Sequence, residues 1–413
     1  MLTSSFREEA IMADPFRVRV CGQLEFYARG FAAELFRLGY TPVSATCQLR
    51  LMAHLSRWLV EESSDLAELT SGSVETFLAA RRAAGHTNYS SPKALEPLLS
   101  YLRTLGAVPL PVLSEPTPVE TILKRYRTYL TVERGLTSRT ARYYVDLVRP
   151  FVKGRARASG IDLFGLAPGD VTDFVLAECR NRRRGSAKLI VTALRSLLSF
   201  LHIEGELTQP LATAVPSVAS WRLAGLPRSL EPAQVRKLLA SCDRRRATGR
   251  RDFAILMLLV RLGMRAGEVV GMELNDIDWR SGEVAVRGKG DRQERLPLPS
   301  DVGEAIVGYL RRGRPPTAQG RTVFVRRRAP HQKLTSTAVT NIVREAGKRA
   351  CVGTLSAHRL RHTAATQMLR AGAPLEEIGQ VLRHRSSLST AIYAKVDRKS
   401  LRTLARPWPG GAL

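Results

Sequence analysis

Two proline-bearing stretches constrain this 413-residue chain more than any other feature of it. Val108 to Pro118 holds Pro109, Pro111, Pro116 and Pro118, and Pro216 to Pro227 adds Ser217, Arg222 and Gly225. Proline lacks a backbone donor and pushes the residue before it out of the helical region, so neither stretch continues a helix or a central strand. Both read as linkers, and they predict three pieces of ordinary domain size: residues 1–110, 117–210 and 227–413. With 44% hydrophobic and 24% charged residues, each piece has the material for a hydrophobic core without a disulfide framework.

The first two pieces read as small bundles of amphipathic helices. Leu194, Leu197, Leu198 and Leu201 recur at i, i+3, i+4 and i+7, the spacing of one helix face. The two pieces also resemble each other. Gly39-Tyr40-Thr41 aligns with Gly135-Leu136-Thr137, Leu66 and Leu69 with Leu163 and Leu166, and Phe77-Leu78 with Phe174-Val175. Leu98-Leu99-Ser100-Tyr101-Leu102 aligns with Leu197-Leu198-Ser199-Phe200-Leu201, followed by Gly106 and Gly205 respectively, and the offset drifts only from 96 to 99. We read this as an internal duplication, the alternative being that any two helical bundles share leucines.

The third piece begins helically, with Glu231 before Pro232 and an apolar run through Val235, Leu238 and Leu239. A buried helix from Asp252 ends at Gly263, which suits a C′ position. The period then changes: Glu283-Val284-Ala285-Val286 and Arg295-Leu296-Pro297-Leu298 flank a Gly/Lys/Asp turn and predict a β-hairpin. Beyond Thr335 helical spacing returns through Val339, Ile342 and Val343. The expected fold is mainly α with a small antiparallel β-sheet, confined to the last piece.

Charge narrows the function. The chain carries +27 in all. Residues 1–115 hold 11 basic and 12 acidic residues, 116–226 hold 17 and 9, and 227–413 hold 36 and 16. A merely arginine-rich genome would spread that excess evenly, so the last two pieces are expected to face a polyanion. Arg182-Arg183-Arg184 and Arg326-Arg327-Arg328 are either phosphate contacts or solvated loops. The longest strongly apolar run, Phe253 to Val260, is far short of the ~20 residues a membrane span needs, and Arg7, Glu8, Glu9 and Asp14 break any signal-peptide pattern. Cys21, Cys47, Cys179, Cys242 and Cys351 are widely separated and show no CxxC spacing. We therefore expect a cytoplasmic protein with no membrane, metal or cofactor.

Four clusters in the last piece carry the chemistry, and each has an ordinary reading when taken alone. In Gly263-Met264-Arg265-Ala266-Gly267-Glu268, a new helix would put Glu268 on the face of Arg265; alone, that is an ion pair. In Arg287-Gly288-Lys289-Gly290-Asp291, a lysine sits at a hairpin tip between glycines; alone, it is a solvated turn residue. In His358-Arg359-Leu360-Arg361-His362, which follows the N-cap candidate Ser356, His358 and Arg361 share a face; alone, they bind an anion. Finally, Tyr393 follows Leu382-Arg383-His384 by nine residues from the histidine; alone, it is a core tyrosine.

In that order the clusters resemble the catalytic domain of the tyrosine recombinases, the phage integrase family, over roughly Pro227 to Lys399. The resemblance implies that Arg265, Lys289, His358, Arg361, His384 and Tyr393 are catalytic and that Glu268 supports Arg265, although Ala266-Gly267 is a less usual spelling between them. Val119 to Gly205 resembles the family's helical, SAM-like core-binding domain, which would precede an α+β catalytic domain. On this reading the arginines and His384 clamp a phosphodiester, and Tyr393 attacks it with help from His358. Lys289 protonates the leaving 5′-hydroxyl, and the 3′-phosphotyrosyl link conserves the bond energy without ATP or metal.

The implied partners are double-stranded DNA and further copies of the chain, a tetramer on DNA, or partner recombinases. The tail from Ala394 to Pro409, with Leu401 and Leu404 at helical spacing, would pack on a neighbouring protomer or in cis. A mobile element is the expected setting. The competing readings are a DNA-binding accessory protein that does not cut and a type IB topoisomerase-like enzyme.

Overall fold

The computed structural model describes residues 14–110, 116–157, 160–219, 229–288, 293–384, 386 and 388–396. Contacts group Met1–Leu110 with Gly225–Leu413 as one compact unit and Pro111–Ala224 as the other. Hydrophobic cores are more finely divided: one runs from Val20 to Val108, one from Val119 to Val215, one from Leu230 to Leu360, and a small one gathers Ala365, Ile378, Leu382 and Tyr393.

Residues 14–110 contain α1 (Ala28–Arg37), α2 (Pro42–Glu61), α3 (Ser71–Ala83) and α4 (Pro92–Thr104). Residues 116–219 contain α5 (Pro118–Val132), α6 (Ser138–Gly154), a short antiparallel ribbon of β1 (Ala156–Arg157) and β2 (Gly160–Ile161), α7 (Pro168–Cys179) and α8 (Arg184–Ile203). The helix order matches between the two, and so does local chemistry. Gly39 and Gly135 both take positive φ, +86° and +58°. Two residues on, Thr41 and Thr137 cap α2 and α6 by accepting the Ser44 and Thr140 amides at 3.3 Å. Gly106 and Gly205, at φ +69° and +75°, follow the ends of α4 and α8.

Helix α8 is long and apolar enough to cross a membrane by length and composition, but half of its apolar window is buried. Its Ala193, Leu194, Leu197, Leu198 and Leu201 are the middle of the second core, where each buried leucine contributes roughly 1.5–3 kcal/mol. The buried Tyr126 hydroxyl donates to the Ala193 carbonyl at 3.1 Å, so the aromatic body packs without an orphaned polar end.

Residues 229–396 open with α9 (Pro232–Ala240), α10 (Ala247–Arg261) and α11 (Ala266–Gly271). Helix α10 begins five residues before the expected Asp252, because Ala247 to Arg251 continue the helix as a polar first turn. The hairpin is β4 (Glu283–Arg287) against β5 (Gln293–Pro297), with Val284 opposite Leu296. Leu298 falls outside it, and β3 (Ile277–Asp278) adds a third strand that the periodicity did not announce. Then come α12 (Ser300–Arg312), α13 (Ser336–Arg349), α14 (Ala357–Arg370), α15 (Leu375–Val381), α16 (Leu388–Ala391) and a 3₁₀ turn at Ile392–Val396. As expected, Ser356 caps α14 by accepting the Arg359 amide, and Thr335 caps α13 in the same way by accepting the Ala338 amide. The Leu401 and Leu404 tail lies outside the described residues.

Gly263 ends α10 with φ +58°, and a Cβ there would run into the buried Leu382 side chain. Left-handed backbone strain and overpacking act together in Gly263→Ala. A loss of about 3 kcal/mol in urea-induced unfolding is expected, with a larger loss for Gly263→Val.

Candidate active site

Glu268 organises the first corner of the site. It sits in the opening turn of α11, where its carboxylate accepts the Arg265 amide at 2.8 Å and the Arg265 guanidinium at 2.6 Å. Its other demand is met from far along the chain, by Arg383 Nη2 at 2.7 Å, with both of these side chains only 3–4% exposed. Burial pushes the carboxyl upward, but the Arg383 charge and the bonds from Arg265 and Arg383 outweigh it and hold the group below its ordinary value. Arg265 then donates its Nη2 to the Arg383 carbonyl at 3.0 Å, while nearly half of its side chain remains exposed.

Arg361 supplies the second guanidinium, from α14, and is almost completely buried. It donates to the carbonyl of Gly263 at 2.6 Å and to that of Leu382. Burial, then the Arg265 charge, lower its pKa to about 10, so it stays cationic at neutral pH. Two positive groups held by backbone carbonyls and one carboxylate make a fixed positive field suited to an anion.

The imidazoles complete the set. His358 and His362, one turn apart on α14, meet edge to face with centroids 4.3 Å apart. Loss of hydration, then Arg361 and Arg265, depress His358. His384 lies parallel to the Tyr393 ring at 6.4 Å, and its Nδ1 is 2.7 Å from the Thr390 hydroxyl. Burial, then Arg361 and Arg265, take His384 down to about 4. Tyr393 itself, on the 3₁₀ turn, is buried; burial raises its pKa and the Arg361 charge opposes that rise.

Arg265, Glu268, His358, Arg361, His384 and Tyr393 thus lie in one linked site, whereas Lys289 is outside the described residues. Two participants were not singled out in the sequence. His362, rather than His358, pairs with the tyrosine: its Nδ1 is 2.8 Å from Tyr393 Oη. The i, i+4 spacing from His358 was the available signal. Arg383 gave no such signal, since its buried ion pair depends on a left-handed conformation, φ +55°, that a non-glycine residue rarely adopts. Among the described residues no group of three or more His, Cys, Asp or Glu side chains is placed to hold a metal ion.

Fixed cations, neutral imidazoles and a tyrosine hydroxyl are the equipment of phosphoryl transfer through a covalent tyrosyl intermediate. Comparison with known proteins gives that chemistry its family. Residues 228–400 match the model of the phage integrase family. The Sinorhizobium fredii protein y4rA, named as an integrase/recombinase, is 41% identical over 396 residues, 95% of this chain and 96% of the relative. The tyrosine recombinase XerD of Mycobacterium tuberculosis is 32% identical over 308 residues, covering 70% of this chain and 96% of XerD. The fold is similar to XerH bound to its palindromic difH substrate (TM-score 0.54, 17% identity, 72% of this chain and 99% of that one). It is also similar to a lambda integrase dimer bound to a core site (TM-score 0.52, 20% identity, 70% and 96%). The chain belongs to the phage integrase family and is a tyrosine-type recombinase.

Two outcomes follow from this geometry. Arg383→Ala leaves Glu268 short of a buried partner and keeps the left-handed strain, so a loss of about 3 kcal/mol is expected in denaturant unfolding. Arg383→Gly removes the strain and should recover about 1 kcal/mol of that loss. In acid, His362 and His384 hold folded pKa values of about 4, below their ordinary 6.5, so the unfolded chain takes up protons first. Their stabilising contribution is complete above pH 6.5 and is lost as pH falls toward 4; the melting temperature should drop across that window, less steeply in His384→Gln.

Proposed function

We propose that this chain is a site-specific DNA recombinase that cuts and rejoins strands through a 3′-phosphotyrosyl intermediate formed on Tyr393. The observation that carries this reading is the convergence on the buried tyrosine's site of Arg265 from the start of α11, His358 and Arg361 from α14, and His384 from the segment after α15. Arg265 and Arg361 neutralise the non-bridging oxygens of the scissile phosphate, and His358 and His384 face the same group. Lys289, which falls between β4 and β5 in the sequence, protonates the leaving 5′-oxygen. Glu268 keeps Arg265 in place.

Residues 117–210 serve as a helical core-binding DNA-binding domain, and residues 227–413 as the catalytic domain with its tail. Residues 1–110 are a second copy of the helical unit. The matching helix order and the Thr41 and Thr137 caps support the duplication, and the near-neutral charge of the first copy supports protein contacts or accessory binding for it. Double-stranded DNA and further copies of the chain are the partners, as in the lambda integrase tetramer solved on a Holliday junction. A mobile element is the setting, in the cytoplasm.

On a supercoiled or nicked duplex carrying the element's own ends, without metal, the full chain should yield a denaturant-resistant, protease-sensitive DNA adduct. Tyr393→Phe should bind equally and yield none. DNA binding by both proteins with no adduct from either would favour a non-cutting accessory role. Affinity should fall steeply with salt, each neutralised phosphate adding about −0.9 to the log–log slope.

A further inference from the structure

We propose that His362 is a catalytic residue, the base that takes the proton of Tyr393 as it attacks, a role that rests on Tyr393 being the nucleophile. The geometry is direct: His362 Nδ1 lies 2.8 Å from Tyr393 Oη, within the reach a general base needs. The two rings meet edge to face at 5.6 Å, and His358 meets the His362 ring edge to face at 4.3 Å. With its proton on Nε2, a neutral His362 presents Nδ1 as the acceptor.

The surroundings keep it in that neutral form. Charged and titratable groups face it from each side: His358 and Arg361 on its own helix, and His384 and Tyr393 from the C-terminal segment. Burial, then His358 and Arg361, hold its pKa at about 4. So low a value makes the free enzyme a poor base toward a tyrosine hydroxyl whose own pKa burial raises, which keeps the nucleophile protonated until DNA binds. A phosphodiester seated between Arg265 and Arg361 cancels part of the positive field that depresses His362, and so raises its basicity when the substrate is in place.

In the step itself the Tyr393 O–H bond breaks and its proton passes to His362 Nδ1, while Oη forms a bond to phosphorus. The bond from phosphorus to the 5′-oxygen breaks, and that oxygen takes a proton from the acid assigned above to Lys289. His358, on the exposed side of the pair, is left to contact the phosphate and to return the His362 proton to solvent.

The test uses the full-length chain and a nicked suicide duplex whose sequence is recovered from wild-type adducts. His362→Ala and His362→Gln should bind this duplex as the wild type does but form adduct about 10²- to 10⁴-fold more slowly at pH 7. Their rates should rise with pH as hydroxide replaces the base. The glutamine variant decides between chemistry and positioning, because its amide oxygen still accepts the tyrosine hydrogen bond but cannot carry the proton away. Wild-type cleavage by His362→Gln, or a loss and pH slope found in His358→Gln instead, overturns the proposal. If the wild type itself forms no adduct, or Tyr393→Phe still does, the nucleophile assignment fails and this role goes with it.

Discussion

A buried carboxylate between two guanidiniums holds this protein's site together. Glu268 is nearly inaccessible to water, and an isolated ionised carboxylate could not persist there. Arg265 from its own turn and Arg383 from 115 residues downstream make it tolerable. Because neither partner can leave without stranding a charge, the pair also ties α11 to the segment that runs from α15 through His384 to Tyr393. Arg361 reinforces the same tie by donating to Gly263 on one side and Leu382 on the other.

That arrangement makes the site strongly positive while leaving its imidazoles neutral. The Arg265 and Arg383 charges both act on Arg361, and one carboxylate cannot cancel all three. The surplus is what a phosphodiester would meet, and after burial, the larger cause, it also helps lower His362 and His384 to about 4. The cationic clamp and the neutral histidines are therefore consequences of a single electrostatic environment. An arriving phosphate changes both together, relieving repulsion among the arginines and making the imidazoles more basic.

The helical pieces before the site follow simpler rules. Prolines at helix starts, threonine caps and positive-φ glycines at helix ends set where the helices begin and stop, and leucine stripes such as that of α8 set which faces are buried. Their helix order and threonine caps match while their net charges differ. Surface charge is freer to change than packing, because an exposed residue seldom alters stability by more than ~0.5 kcal/mol.

Local signals were enough for much of this. Helix periodicity, the Ser356 cap, the Gly263 stop and the hairpin are contained within a few consecutive residues, so they were legible in the sequence. The family resemblance likewise rested on short motifs, and it named Arg265, His358, Arg361, His384 and Tyr393. Only the tertiary structure decided what those side chains touch. The two-residue strand β3 exists because the hairpin offers it an edge, and too short a run carries no period of its own. Arg383 reads as one more surface arginine until a left-handed turn sends it to Glu268. The choice of His362 over His358 as the neighbour of the tyrosine depends on where the 3₁₀ turn delivers Tyr393, across 31 residues of chain. Contacts of that range are fixed by packing among distant elements, which no local pattern encodes.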